Sequence, residues 1–116
     1  MRLDRNKPGN EGRGKYAILK LRKLAECVGK NHNHCADTGN RVRAAILLLE
    51  EEGILDWGRE GTETEFFLIR LKDMFAASAL FSYAESAMLH DPEYADEVYA
   101  LAARSGPENP FCKLPD

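Results

Sequence analysis

The chain has 116 residues, of which 44% are hydrophobic and 30% are charged, and its formal net charge is −3. This length and composition predict one globular domain and exclude a disordered chain or a disulfide-stapled miniprotein. The charge is unevenly distributed, because residues 1–43 carry a balance of +7 and residues 44–116 a balance of −10. Such a division predicts charge-complementary contacts, either within the fold, between copies, or with a polyanion.

Residues 1–14 are predicted to form a basic flexible arm, since they contain Pro8 and three glycines and show no apolar periodicity. No apolar stretch follows the basic residues as it would in a signal peptide. The least polar run of the chain, about 16 residues, is shorter than the roughly 20 that span a membrane. A cytoplasmic protein without a membrane partner is therefore expected.

The first predicted helix covers residues 15–28. Ala17, Leu21, Leu24 and Val28 follow at i, i+4, i+7 and i+11, and Gly29 is a typical residue to end the helix. A short strand over residues 16–21 is the alternative, but the length of the helical pattern favours the helix. Residues 30–39 are polar and predict a loop.

The second predicted helix begins after Thr38 or Asn40, either of which suits an N-cap, and runs to Gly53. Its apolar face consists of Val42, Ala45, Ile46 and Leu49. Three consecutive glutamates, Glu50, Glu51 and Glu52, fall at its C-terminus, where the helix dipole disfavours negative charge. Basic partners or solvent are needed to offset that placement.

The segment from residue 54 to residue 73 allows two interpretations. Residues 65–71 form a strand that pairs with residues 54–57 as a β-hairpin, or Thr62 and Glu65 form a capping box that begins one helix reaching Leu89. Arg70 and Asp73 would fall on the apolar arc of such a long helix. This mismatch favours the strand, followed by a helix that Asp73 caps.

Residues 74–89 are predicted to be the core helix of the fold. Ala76, Leu80, Tyr83, Ala84 and Ala87 share an apolar arc that covers about half of the helix, so packing partners are expected on more than one side. Six large apolar residues stand off the predicted helical arcs. Exposed together they would form an adhesive patch, unless the arm and the tail cover them: Tyr16, Leu19, Phe67, Leu68, Phe75 and Leu89.

The last predicted helix begins at Asp91, which suits an N-cap and is followed by Pro92, and it ends before Gly106. Residues 106–116 contain three prolines and predict a C-terminal coil tail that Phe111 could anchor. The fold class is therefore mainly α. It is a single helical domain over residues 15–105 with three to four amphipathic helices, and a short hairpin of 54–57 with 65–71 is left open.

Four residues of metal-ligating type lie close together between the first two helices: Cys27, His32, His34 and Cys35. Zinc takes four Cys or His ligands, but the spacing C-x4-H-x-H-C is not one of the usual paired patterns. A polar loop with incidental histidines and cysteines is the alternative, and the spacing favours it. No cofactor is expected, and the odd number of cysteines predicts free thiols.

The sequence contains neither a nucleophile motif such as G-x-S-x-G nor a phosphate-binding glycine loop preceded by a strand. An enzyme is therefore not expected. Seven basic residues of the first half are the candidates for binding a partner or a nucleic acid: Arg13, Lys15, Lys20, Arg22, Lys23, Arg41 and Arg43. A helix that begins with two arginines and precedes a hairpin resembles a winged helix, which is the alternative function, although the glutamates near that hairpin would repel phosphates.

The leading prediction is a non-enzymatic protein that binds another protein, or a second copy of itself through the oppositely charged halves. The segments GRGKYAILKLRKL, EFFLIRLKDMFAASALFSYAESA, DPEYADEVYALAARSG and CKLPD resemble small uncharacterised phage and prophage proteins. That resemblance implies no catalytic activity. It implies an accessory role, such as inhibition of a host defence complex in the host cytoplasm.

Overall fold

The structure is a computed structural model that describes residues 1–7, 14–29 and 33–115, with only the backbone described at 27–29 and 33–37. Within these ranges the chain forms four α-helices: α1 (Leu21–Gly29), α2 (Asn33–Glu51), α3 (Ala76–Met88) and α4 (Pro92–Ala103). A short 3-10 helix follows at Gly106–Glu108, and no strand forms in the described ranges. The predicted mainly helical class is confirmed.

Contacts between residues divide the chain into two compact units. The first contains Met1–Tyr16 and Phe67–Asp116, and the second contains Ala17–Phe66. The arm at residues 1–14, the single domain at 15–105 and the tail at 106–116 stay predictions. The two units are defined by contacts between residues, and contacts alone do not show which part of the chain folds independently.

The first unit is built on the pair α3 and α4, which a connection at residues 89–91 joins and which pack against each other. A connection this short makes the two helices antiparallel neighbours. The buried hydrophobic residues of the unit are small, because four of the six are alanines that allow the two helices to approach closely: Ala76, Ala84, Ala95, Val98, Leu101 and Ala102.

Both predicted helices of this unit are confirmed, to within two residues at their ends. Asp91 accepts a 3.1 Å hydrogen bond from the Tyr94 amide and Pro92 is the first helical residue, as the sequence predicts. The prediction that Asp73 caps α3 is wrong, because Asp73 lies two residues before the N-cap position, Phe75, and its side chain accepts a 2.8 Å bond from the Phe75 amide in the turn before the helix.

The residues after α4 are tied to the chain segment that precedes α3. Gly106, at φ +60°, donates its amide to the Leu71 carbonyl at 2.8 Å. Further along, the Lys113 amide donates to Lys72, and the Met74 amide donates to Lys113, at 3.0 and 2.9 Å. These bonds form a parallel bridge between Asp73 and Lys113. We call residues 71–74 together with 106–114 the clasp. The predicted anchor in the tail is wrong, because Phe111 is 75% exposed.

In the second unit, α1 begins six residues later than predicted. Residues 15–20 are neither the helix nor the alternative strand. Side chains of the arm explain the difference in part, because Asn6 donates to the Tyr16 carbonyl and Asp4 accepts from the Lys15 amide. The bond from Asn6 competes with the backbone bond that the Tyr16 carbonyl would accept in the first turn of the predicted helix.

The helix α2 begins at Asn33, six to eight residues earlier than predicted, so the predicted loop at 33–39 is wrong. Residues 30–32 lie outside the described part of the chain. Gly39 is buried inside α2. Gly39 does not interrupt the helix, because a glycine within a helix costs only about 1 kcal/mol relative to alanine.

Neither interpretation of the segment 54–71 is what the structure shows, since its residues form turns and irregular chain and not a hairpin or a helix. Thr62 and Glu65 do interact as part of one motif, but they close a turn. The Glu65 amide donates to the Thr62 carbonyl at 3.2 Å, and the Glu65 carboxylate accepts from the Gly61 amide at 2.7 Å.

Candidate functional site

The exposed surface of the protein carries many large apolar side chains. All six residues that stand off the predicted helical arcs are exposed: Tyr16, Leu19, Phe67, Leu68, Phe75 and Leu89. The expectation that α3 has partners on more than one side is met in part, since α3 contacts both α4 and the 3-10 helix while Phe81 and Tyr83 remain exposed. Small residues therefore fill the interior and large ones face outward.

Four of these exposed apolar residues lie on the two segments that the clasp bridge joins. Met74 and Phe75 follow Asp73 on one segment, and Phe111 and Leu114 flank Lys113 on the other. Because a parallel bridge aligns the two segments, these side chains are presented on adjoining stretches of backbone. We call Met74, Phe75, Phe111 and Leu114 the clasp surface. Its backbone is fixed by the hydrogen bonds described above.

A second group of side chains lies along one edge of the helix pair. The rings of Phe81 on α3 and Tyr99 on α4 have centroids 6.1 Å apart and are tilted by 45°. Glu85 lies one helical turn after Phe81 and Asp96 nearly one turn before Tyr99, and both carboxylates are exposed. We call these four residues the acidic aromatic patch.

The opposite edge of the helix pair carries two tyrosines that bond to each other. The hydroxyls of Tyr83 and Tyr94 are 2.9 Å apart, and their rings meet edge to face. The hydrogen bond to Tyr83, together with desolvation, raises the pKa of Tyr94 to about 12. The raised pKa keeps the Tyr94 hydroxyl protonated, so this pair joins the helices and offers no evident chemistry.

The basic candidates of the first half are displayed on the surface. Six of the seven are exposed, while Arg13 lies outside the described residues: Lys15, Lys20, Arg22, Lys23, Arg41 and Arg43. In the part of the chain that the structure describes, none of the six forms an ion pair. The hairpin that would supply the wing of a winged helix is not formed, so that resemblance loses its main support.

The structure does not test the predicted zinc site. His32 lies outside the described residues, and so do the side chains of Cys27, His34 and Cys35. Elsewhere in the described ranges, no three His, Cys, Asp or Glu side chains come together as metal ligands would. Cys112, beside the clasp, is a half-buried free thiol.

Sequence reasoning missed the polar network that orders the loop after α2. Asp56 accepts hydrogen bonds from the Gly58 amide at 2.8 Å and the Thr64 hydroxyl at 3.0 Å, which hold the pKa of its carboxyl below the usual value. The Trp57 indole donates to Glu50 at 2.8 Å, which gives one of the three terminal glutamates a partner. The signal for the turn was present in the sequence, because Asp-x-Gly is a common turn pattern.

The concave features of the second unit are shallow. One is lined by Thr38, Arg41, Val42 and Ala45. The other lies over the loop after α2, beside Asp56 and Trp57. Both are open to solvent, whereas small-molecule sites enclose most of their ligand. Neither depression therefore provides the enclosure that catalysis on a small substrate requires.

Comparison of the chain with protein-family models, with curated proteins and with solved structures finds no match. Within the described ranges, none of the helices has the length and apolar character needed to cross a membrane.

Proposed function

We propose that the protein is a non-enzymatic accessory protein that docks a protein partner on the clasp surface. The observation that carries this proposal is the distribution of side-chain size in the first unit. Alanines occupy most of its interior, whereas Phe75 and Phe111 are 60% and 75% exposed on a hydrogen-bonded backbone.

Exposed phenylalanines favour an interface on energetic grounds. Burying a side chain of this size contributes about 1.5–3 kcal/mol relative to leaving it in water. Single exposed apolar residues are common, but several on adjoining backbone form a patch of the kind that marks an interaction site. Large aromatic residues are also those that most often dominate the binding free energy of an interface.

The clasp also favours affinity, because binding to an ordered surface costs little conformational entropy. Three backbone hydrogen bonds link residues 71–74 to Gly106 and Lys113. The buried helix pair supports the other side of the segment, since Gly106 packs close to Ala77. A partner would therefore meet a surface that is already formed.

The resemblance to small phage and prophage proteins supports the same proposal. It favours a phage-encoded inhibitor that acts in the host cytoplasm by occupying a surface of a defence complex. The exposed apolar residues agree with inhibition by surface contact.

The test is affinity capture from a host lysate, followed by reconstitution with the purified candidate partner. The variant Phe75→Ser with Phe111→Ser removes the two aromatic rings from the clasp surface, and we expect at least about a hundredfold weaker binding by calorimetry. The matched control is Leu47→Ser with Leu48→Ser, which changes two exposed apolar residues of α2. Equal binding by wild type and the clasp variant would contradict the proposal.

Nucleic-acid binding is the second candidate, favoured by the six exposed cations of the first half. Arg41 and Arg43 lie on α2, and their replacement by glutamate should abolish retention on a DNA column at low salt. Glu50, Glu51 and Glu52, at the C-terminal end of the same helix, oppose this function because they would repel phosphates. Absence of retention by the wild type would exclude it.

A further inference from the structure

The acidic aromatic patch has the features of a site for a cationic, partly apolar segment. Phe81 and Tyr99 present ring surface, and Glu85 and Asp96 supply two negative charges within one turn of those rings. The ring faces of aromatic residues attract ammonium and guanidinium groups, and nearby carboxylates add to that attraction. The helix pair as a whole is acidic, since from Ala76 to Glu108 it carries six Asp or Glu and one Arg.

The chain itself contains a segment with the complementary character. Residues 18–23 combine three apolar and three basic side chains, and each of them is exposed: Ile18, Leu19, Lys20, Leu21, Arg22 and Lys23. Leu19 and Leu21 could cover the Phe81 ring, while Lys20 and Lys23 approach carboxylates. None of the three cations forms an ion pair in the part of the chain that the structure describes.

We propose that the chain forms a reciprocal homodimer in which residues 18–23 of each copy dock on the acidic aromatic patch of the other. The reciprocal arrangement makes the same contact twice and closes on itself, whereas a single head-to-tail contact would propagate into a fibre. Like charges oppose the alternatives in which two patches or two basic segments meet. In this dimer the basic half of each copy, with a balance of +7, meets the acidic half of the other, with a balance of −10.

This interface is distinct from the clasp surface and does not depend on it. Glu85 and Asp96 lie within α3 and α4, whereas the clasp residues precede α3 and follow α4. A partner protein could therefore bind the clasp surface of each copy in the dimer. The two proposals can fail separately.

Sedimentation velocity across a wide range of protein concentration tests the dimer. We expect a monomer–dimer equilibrium whose dissociation constant rises about tenfold from about 50 mM to about 500 mM NaCl, because salt screens the exposed charges. A monomer at every concentration overturns the proposal, as does a dimer whose dissociation constant does not change with salt.

Charge reversal identifies the contact. Lys20→Glu with Lys23→Glu makes both surfaces acidic, and Glu85→Lys with Asp96→Lys makes both basic, so each variant alone should be monomeric. An equimolar mixture of the two should form a heterodimer, because each reversed surface meets its complement. Failure of the mixture to associate, with both variants folded by circular dichroism, overturns the proposal.

Two further variants with the same change in net charge serve as controls. Arg41→Glu with Arg43→Glu and Glu60→Lys with Glu63→Lys alter exposed residues outside the two surfaces. Both should remain dimeric alone, and their monomerisation would show that net charge, not this contact, controls association and would overturn the assignment. The clasp variant Phe75→Ser with Phe111→Ser should also remain dimeric, which separates this test from that of the proposed function.

Discussion

In the first unit the buried side chains come from α3, α4 and the turn after α4, whereas in the second unit Gly39 is the only described residue that is buried. The second unit contains the longest helix, α2, yet Val42, Ile46 and Leu49 on its apolar face are only half-buried. Helix length and burial are therefore unrelated in this protein. The helix pair of the first unit is closely packed, whereas the described side chains of the second unit are mostly exposed or half-buried.

Side-chain hydrogen bonds order the loop after α2 in the second unit. Asp56 bonds Gly58 and Thr64, the Thr62 hydroxyl donates to the Arg59 carbonyl at 2.6 Å, and Trp57 bonds a glutamate of α2. Exposed hydrogen bonds of this type contribute little net free energy each and respond to pH, whereas apolar packing does not. The comparison thus predicts different sensitivities for the two units.

Truncating a buried leucine should have the largest effect. Leu101 is 5% exposed on α4, and Leu101→Ala should lower the free energy of unfolding by about 2–4 kcal/mol, because it removes apolar contacts and leaves a cavity. The measurement is urea unfolding followed by far-ultraviolet circular dichroism. Leu47→Ala on α2 is the control, since Leu47 is 57% exposed and its truncation should cost less than about 0.5 kcal/mol. Equal losses in the two variants would contradict the assigned difference in packing.

Adding one methyl group at the clasp should have the next largest effect. Gly106 has φ +60°, and a Cβ there would lie 3.1 Å from the Ala77 Cβ, so Gly106→Ala combines backbone strain with crowding. We expect a loss of about 2–3 kcal/mol by the same urea experiment.

Gly61→Ala separates strain from crowding. Gly61 has φ +80°, but a Cβ there would meet nothing within 4 Å, so only strain of about 1 kcal/mol is expected. If Gly106→Ala were no more destabilising than Gly61→Ala, the close contact of the clasp with α3 would be refuted.

The smallest effect should be the acid response of the loop. The pKa of Asp56 is lowered by the bonds from Gly58 and Thr64, so the folded state favours the ionised carboxylate. The stabilisation is present above the unfolded pKa of about 3.9 and is lost as the pH falls through the lower folded pKa. The Gly58 amide shift in nuclear magnetic resonance should therefore titrate with a midpoint below 3.8.

The variant Asp56→Asn is the control for that titration, because it keeps an acceptor oxygen and removes the ionisable group. Its Gly58 amide should show no such transition. A wild-type midpoint at or above the ordinary aspartate value would mean that the loop bonds do not favour the charged form.

Periodicity and capping predicted the helix pair well because both signals are local. Asp91, Pro92 and the apolar spacing of α4 determine that helix within a few neighbouring residues. The exposure of Phe67, Phe75 and Leu89 also followed from their positions off the helical arcs. Where the local signals agreed with one another, the structure agreed with them.

The clasp and the start of α1 could not be predicted in the same way, because both depend on bonds between distant residues. Lys113 bonds to backbone about forty residues earlier in the chain, and no spacing rule in the sequence points to that contact. Asp4 and Asn6 bond to backbone groups of residues 14–16, and Lys15 and Tyr16 among them belong to the first turn of the helix predicted at residues 15–28. The clasp surface was therefore visible in the sequence only as scattered apolar residues.

Hydrogen exchange of the backbone amides tests the contrast between the two units most directly. Amides that open only by unfolding of a packed core exchange slowest, and those in lightly buried segments exchange fastest. The amides of Val98, Leu101 and Ala102 in α4 should therefore be the most protected, with those of α1 and the C-terminal half of α2 exchanging sooner. Greater protection in α2 than in α4 would contradict the account.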